Sequence, residues 1–149
     1  MNILFVCTGN TCRSSMAEAM LKNMLREKEL NHIKVSSAGV AASAGDRANP
    51  HAISVMQDMG IDLKDHSATP IGAGILKEAD LILTMTEGHK MTVMSWDPSV
   101  WQKIYTLKEY AGMNNMDIQD PFGQSEDAYR RCSDEIKMAL EKIVDKLGF

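Results

Sequence analysis

The chain has 149 residues, 44% hydrophobic and 24% charged, which suits one globular domain over residues 1–149 and excludes a disordered chain. Sixteen Lys+Arg against twenty Asp+Glu leave a net charge of −4, so nucleic acid is not an expected partner and any anion site must be built locally. The longest apolar runs, Ile3 to Cys7 and Ala79 to Leu83 with its flanks, are too short to span a bilayer, so no membrane association is expected.

Asn2 to Val6 reads as a buried parallel strand. The opening residues also lack the basic region and small-residue cleavage site of a signal peptide. Three cysteines without framework spacing suit a reducing setting, so the expected location is the cytoplasm. From Met16 to Lys28, Ala17, Met20, Leu21, Met24 and Leu25 recur at helical spacing. Ile33 to Ser37 reads as a second strand, and Pro50 to Met59 as a helix stopped by Gly60. An extended piece near Asp65-His66-Ser67 leads into a helical turn over Ile71 to Lys77. Ala79 to Met85 is a third strand, Glu87 to Trp96 a helix, and Lys103 to Leu107 the last strand. Trp96 and Trp101 bracket a short loop and are expected to pack at the core or its rim. A polar loop follows from Tyr110 to Gln124, then a helix from Ser125 to Leu147 whose stripe carries Tyr129, Cys132, Ile136, Ala139, Leu140, Ile143 and Leu147. The twelve methionines read as flexible core filler. Strands alternating with helices imply an α/β sandwich on a mostly parallel sheet, with ligands beyond the carboxyl ends of the strands.

The first strand ends in Cys7-Thr8-Gly9-Asn10-Thr11-Cys12-Arg13-Ser14-Ser15, and a helix opens at once. Backbone N–H groups in such a loop can curl around one tetrahedral anion. Gly9 is the residue expected to supply freedom near positive φ. Arg13 adds a two-pronged donor for phosphate oxygens, and Cys7 sits where a helix dipole and a guanidinium favour the thiolate. Ser14 would donate to that sulfur. No Gly-Lys-Ser/Thr follows, so this is not a Walker loop. Cys7 and Cys12 have no second ligand pair, and His32, His51, His66 and His89 are scattered, so no metal is expected. Ser15 and Glu18 have capping-box spacing. Asp120-Pro121, taken bare, is a common turn dipeptide.

Cys-Thr-Gly-Asn-Thr-Cys-Arg-Ser with Met16-Ala17-Glu18, Ser37-Ala38-Gly39, the run Ala79 to Met85 and Asp120-Pro121-Phe122-Gly123 together resemble the low-molecular-weight protein tyrosine phosphatases over essentially the whole chain. The resemblance implies a three-layer α/β sandwich with a central four-stranded parallel sheet and a two-step reaction through a phosphocysteine. It implies Cys7 as nucleophile, Arg13 as phosphate clamp and Asp120 as general acid and base, with Asp117 a solvated loop residue. It also implies that Asn10 and Ser37, with His66, hold the loop's shape. Thr8, Gly9, Asn10, Thr11, Cys12, Ser14 and Phe122 would contact substrate, and no cofactor is implied. Phosphorylated proteins would be the partners of a monomer.

Many tyrosine phosphatases of this family carry a bulky aliphatic residue in place of Thr11 and two aromatics after Asp-Pro, where this chain has Phe122 and Gly123. With Thr84-Met85-Thr86, His89-Lys90 and Thr106 to Tyr110, these residues look like the family's bacterial protein-arginine phosphatases. The alternatives are a tyrosine phosphatase, an arsenate reductase and a non-catalytic phospho-residue binder. Reductase chemistry passes a disulfide along further cysteines, and none lies between Cys12 and Cys132. Cys12 beside Cys7 suggests a disulfide that would protect the nucleophile from further oxidation. Cys132, on the apolar stripe of the last helix, reads as a core residue.

Overall fold

The computed structural model describes residues 1–114 and 117–148. Asn115 and Met116, inside the loop expected over Tyr110 to Gln124, and Phe149 lie outside the described residues. In chain order the elements are β1 (Asn2–Cys7), α1 (Arg13–Glu27), β2 (Lys34–Gly39), α2 (Pro50–Asp58), α3 (Ala73–Glu78), β3 (Leu81–Thr84), α4 (Glu87–Trp96), a 3-10 turn (Pro98–Gln102), β4 (Ile104–Thr106), α5 (Leu107–Tyr110) and α6 (Glu126–Lys146). The four strands are all parallel, in the order β2-β1-β3-β4.

Strand β1 is central because both its faces are apolar. Ile3, Phe5 and Cys7 point into one cluster, with Met16, Met20, Val55, Ile136 and Leu140 of α1, α2 and α6. Leu4 and Val6 point into the other, with Leu76 of α3, Val93 of α4 and Val100. Side chains alternate across a strand, so a continuous apolar run requires helices on both faces. Three layers result, as expected. The carboxyl ends of β1 and β3 lie side by side, with Val6 in register with Thr84, and this brings the loops after them together.

Local differences have local causes. Helix α1 starts at Arg13, so Ser14 and Ser15 belong to its first turn. The Ser15–Glu18 capping box does not form: Ser15 Oγ donates to the Cys12 carbonyl at 2.9 Å, and Glu18 accepts instead from Ser37 Oγ. The short helix α5 was not expected; Thr106 and Glu109 make a reciprocal capping box at its start, at 3.0 and 3.1 Å. Trp96 and Trp101 are 56% and 63% exposed, so neither is core. Met16, Met20, Met56 and Met85 do fill the core, whereas Met91 and Met138 stand in solvent. Among the described residues no helix is long and apolar enough to cross a membrane.

Candidate active site

The loop after β1 takes its shape from Asn10, not Gly9. Asn10 has φ of 59°, the left-handed region that asparagine tolerates better than most side chains. Its side chain and backbone are fully engaged. Nδ2 donates to Ser14 Oγ at 2.8 Å and to Ser37 Oγ at 2.9 Å, while Oδ1 accepts from Thr69 N at 2.9 Å. The Asn10 carbonyl meets His66 Nε2 at 2.6 Å. Asn10, Ser37 and His66 thus share one hydrogen-bond network with the loop.

Gly39, at the end of β2, is a second support that the sequence reading passed over. A Cβ there would lie 2.4 Å from the Thr8 carbonyl and 3.0 Å from Asn10 N. The close approach lets Val40 N and Ala41 N donate to the Cys7 and Thr8 carbonyls, each at 2.9 Å.

Cys7 is 3% exposed, and its Sγ accepts from Asn10 N at 3.3 Å and lies 2.8 Å from Ser14 Oγ. Because Ser14 Oγ already accepts from Asn10, its own proton is left to donate to the sulfur. Arg13, buried against the same loop, donates from Nη1 to the Ile118 carbonyl at 2.9 Å, and its Nη2 lies 3.7 Å from Asp120 Oδ2. One guanidinium thus links the anion cradle to the loop bearing the expected acid. The Asp120 side chain is 51% exposed, and its Oδ1 accepts from Phe122 N at 3.0 Å. Phe122 stands at the rim, 70% exposed; Thr11 and Gly9 are half-buried and Thr8 is exposed.

The loop that carries Asp120 is tied down twice more. Ile118 N donates to the Met85 carbonyl at 2.8 Å, and Asp117 Oδ1 accepts from Glu87 N at 2.8 Å, in the first turn of α4. Asp117 is therefore not the plain solvated residue expected. Its partner lies thirty positions away, and no local pattern signals it.

His89 was also missed as a site residue. It is buried, with Nδ1 2.9 Å from Thr86 Oγ1 and Nε2 2.8 Å from Thr8 Oγ1. Burial first, and then the Arg13 charge, pull its pKa down to about 4. Cys12 is buried, with Sγ 3.7 Å from the Tyr129 hydroxyl, and burial pushes its thiol up. Burial also pushes the Cys132 thiol up to about 12, consistent with a core cysteine. Among the described residues no cluster of His, Cys, Asp or Glu could hold a metal ion.

A strand-end cysteine, an arginine at the helix start and an aspartate across from it are the parts that phosphoryl transfer needs. The model of the family described as low molecular weight phosphotyrosine protein phosphatase matches residues 2–148. A protein-arginine-phosphatase of Bacillus subtilis is 42% identical over 147 residues, covering 99% of this chain and 97% of that protein. The solved structure of the YwlE arginine phosphatase from Geobacillus stearothermophilus superposes with a TM-score of 0.92 at 39% identity, covering 99% of this chain and 92% of that one. A YwlE variant with a phosphorylated active-site serine superposes with a TM-score of 0.95 at 40% identity, covering 99% and 96%. The chain belongs to the low-molecular-weight phosphotyrosine protein phosphatase family.

Proposed function

We propose that this hydrolase removes phosphate from arginine residues of proteins through a phosphocysteine on Cys7. The observation that carries the reading is the shared guanidinium: Arg13 sits in the loop of Cys7 and 3.7 Å from the Asp120 carboxyl. In the first step the Cys7 thiolate attacks phosphorus and the N–P bond breaks. Asp120 gives its proton to the leaving guanidino nitrogen. Arg13 and the loop N–H groups of Thr8 to Ser14, other than that of Asn10, hold the phosphoryl oxygens. In the second step water attacks the phosphocysteine, Asp120 takes the water's proton, and the S–P bond breaks. The Ser14 hydroxyl donates to the departing sulfur, and phosphate leaves. No cofactor enters either step.

The arginine preference rests on Thr11 and on the full-length similarity to proteins named protein-arginine-phosphatase. A small polar Thr11 leaves room beside Cys7 and can hydrogen-bond the attacking water. The Asp120 carboxylate can hold a planar guanidino group, and Phe122 can stack on it. Tyrosine phosphatase is the second reading, favoured by the same exposed Phe122, which would face an aryl ring equally well.

The test is a paired kcat/KM measurement on matched phosphoarginine and phosphotyrosine peptides. Preference for phosphoarginine is expected, and Thr11→Ile should move it toward phosphotyrosine. A phosphotyrosine preference in the unaltered protein would overturn the arginine reading. Mass spectrometry of a quenched reaction should find phosphate on Cys7, and Cys7→Ser should abolish turnover of both substrates.

The same reading takes residues 1–149 as one catalytic domain acting as a monomer in a bacterial cytoplasm. Peroxide would oxidise the Cys7 thiolate to a sulfenic acid. The Cys12 thiol would then displace water to form a disulfide. Inactivation by peroxide should therefore reverse with a thiol reductant, and Cys12→Ser should make it permanent.

A further inference from the structure

We propose that His89 is a positioning residue that orients the Thr8 hydroxyl to recognise the N–H beside phosphorus in a phosphoramidate substrate, and so sets selectivity together with Thr8. The inference deepens the reading above and rests on it.

The argument is one of hydrogen-bond polarity. Thr86 Oγ1 caps α4 by accepting from His89 N at 3.1 Å. We assign its own proton to His89 Nδ1, 2.9 Å away, the acceptor that the geometry offers it among the described residues. A buried neutral imidazole carries one ring proton, which then sits on Nε2. Nε2–H therefore donates to Thr8 Oγ1 at 2.8 Å. That donation occupies one lone pair of the hydroxyl. One lone pair and the O–H proton of Thr8 remain, on an exposed side chain that directly follows Cys7 in the loop.

A hydroxyl with one free acceptor and one free donor matches the substrate's reacting bond. The lone pair can accept from the guanidino N–H next to phosphorus, and the proton can go to a phosphoryl oxygen. A phosphotyrosine has no N–H at its bridging oxygen, so the acceptor would find no partner there. The chain Thr86–His89–Thr8 spans the loops after β3 and β1, which the sheet register places side by side. It fixes Thr8 from outside the cradle.

The experiment measures kcat/KM on phosphoarginine and phosphotyrosine peptides for the unaltered protein and for Thr8→Val, His89→Leu, His89→Gln and Thr8→Val/His89→Leu. A Gln side chain reproduces the Nε2–H donor. The expected result is a fall of about tenfold in the phosphoarginine-to-phosphotyrosine ratio for Thr8→Val and for His89→Leu, the worth of one hydrogen bond. The double variant should fall no further, and His89→Gln should recover most of the ratio. Equal loss on both substrates, additive losses in the double variant, or an unchanged ratio in Thr8→Val would each overturn the inference. Thr8→Val and His89→Gln keep the test decisive if His89→Leu does not fold. A phosphotyrosine preference already present in the unaltered protein would instead sink the underlying arginine reading.

Discussion

Asn10 shows how much one residue can decide. Its left-handed backbone turns the loop, and its side-chain amide spans Ser14 and Ser37. An alanine would both strain the backbone and leave those buried hydroxyls short of a donor. Gly39 is equally constrained, for the opposite reason: it must have no side chain. Gly39→Ala would push a methyl carbon to 2.4 Å from the Thr8 carbonyl, which is backbone and cannot swing away. The expected outcome is a fall in kcat/KM of at least about tenfold from the displaced cradle, with a lower Tm. Unchanged steady-state kinetics in a folded Gly39→Ala protein would show that the cradle tolerates the shift. Asp120 is the proton donor of the proposed mechanism. Asp120→Asn should cut kcat by about 10²–10⁴-fold while leaving inorganic phosphate inhibition within a few-fold, as expected for loss of a proton donor.

Elements position those residues by their ends more than by their lengths. Strand β1 delivers Cys7 because its last residue clears the sheet just as α1 begins at Arg13. The segment carrying Asp120 has no regular structure, and three ties hold it: Arg13 to the Ile118 carbonyl, Ile118 N to Met85, and Asp117 to the start of α4. A rigid acid loop costs less reorganisation when substrate binds. Asp117→Ala should therefore lower kcat several-fold while costing only ~1 kcal/mol of stability, the usual worth of a helix N-terminal acceptor. Urea denaturation and steady-state kinetics on the same sample would check both halves. The apolar stripe of α6 should behave in the reverse manner. Ile136 is fully buried in the core cluster it shares with α1 and α2, and Ile136→Ala should cost about 2–5 kcal/mol with turnover per folded molecule retained.

Across the whole molecule, His89 couples folding to pH. Its ordinary pKa of 6.5 falls to about 4 in the fold, through burial and the Arg13 charge, with Asp117 and Asp120 pulling weakly the other way. Between those values the unfolded chain binds a proton that the folded chain refuses. Stability from this group is therefore complete above pH 6.5 and is lost as pH falls toward 4. The loss is at most ~3 kcal/mol. Urea midpoints measured across that window should drop steeply for the unaltered protein and more gently for His89→Gln. A parallel drop in both would place the acid sensitivity elsewhere.

The linear chain determined the fold class, because apolar runs with period two or none and stripes with period 3.6 are local properties. It marked the candidate cradle, because Cys7 to Ser14 is contiguous and lies between a strand and a helix. Asp120 it offered as a candidate only through resemblance, since Asp-Pro alone looks like a turn. The tertiary structure decided what depends on distant partners. Asn10 rather than Gly9 takes the left-handed turn because Ser37, His66 and Thr69 reward its side chain and backbone. Glu18 leaves the capping box because Ser37 lies within reach. Gly39, Asp117 and His89 became visible as supports only when the parallel register of β1, β2 and β3 set their loops side by side. Those contacts join residues thirty to eighty-one positions apart, and such separations leave no periodic trace in a sequence.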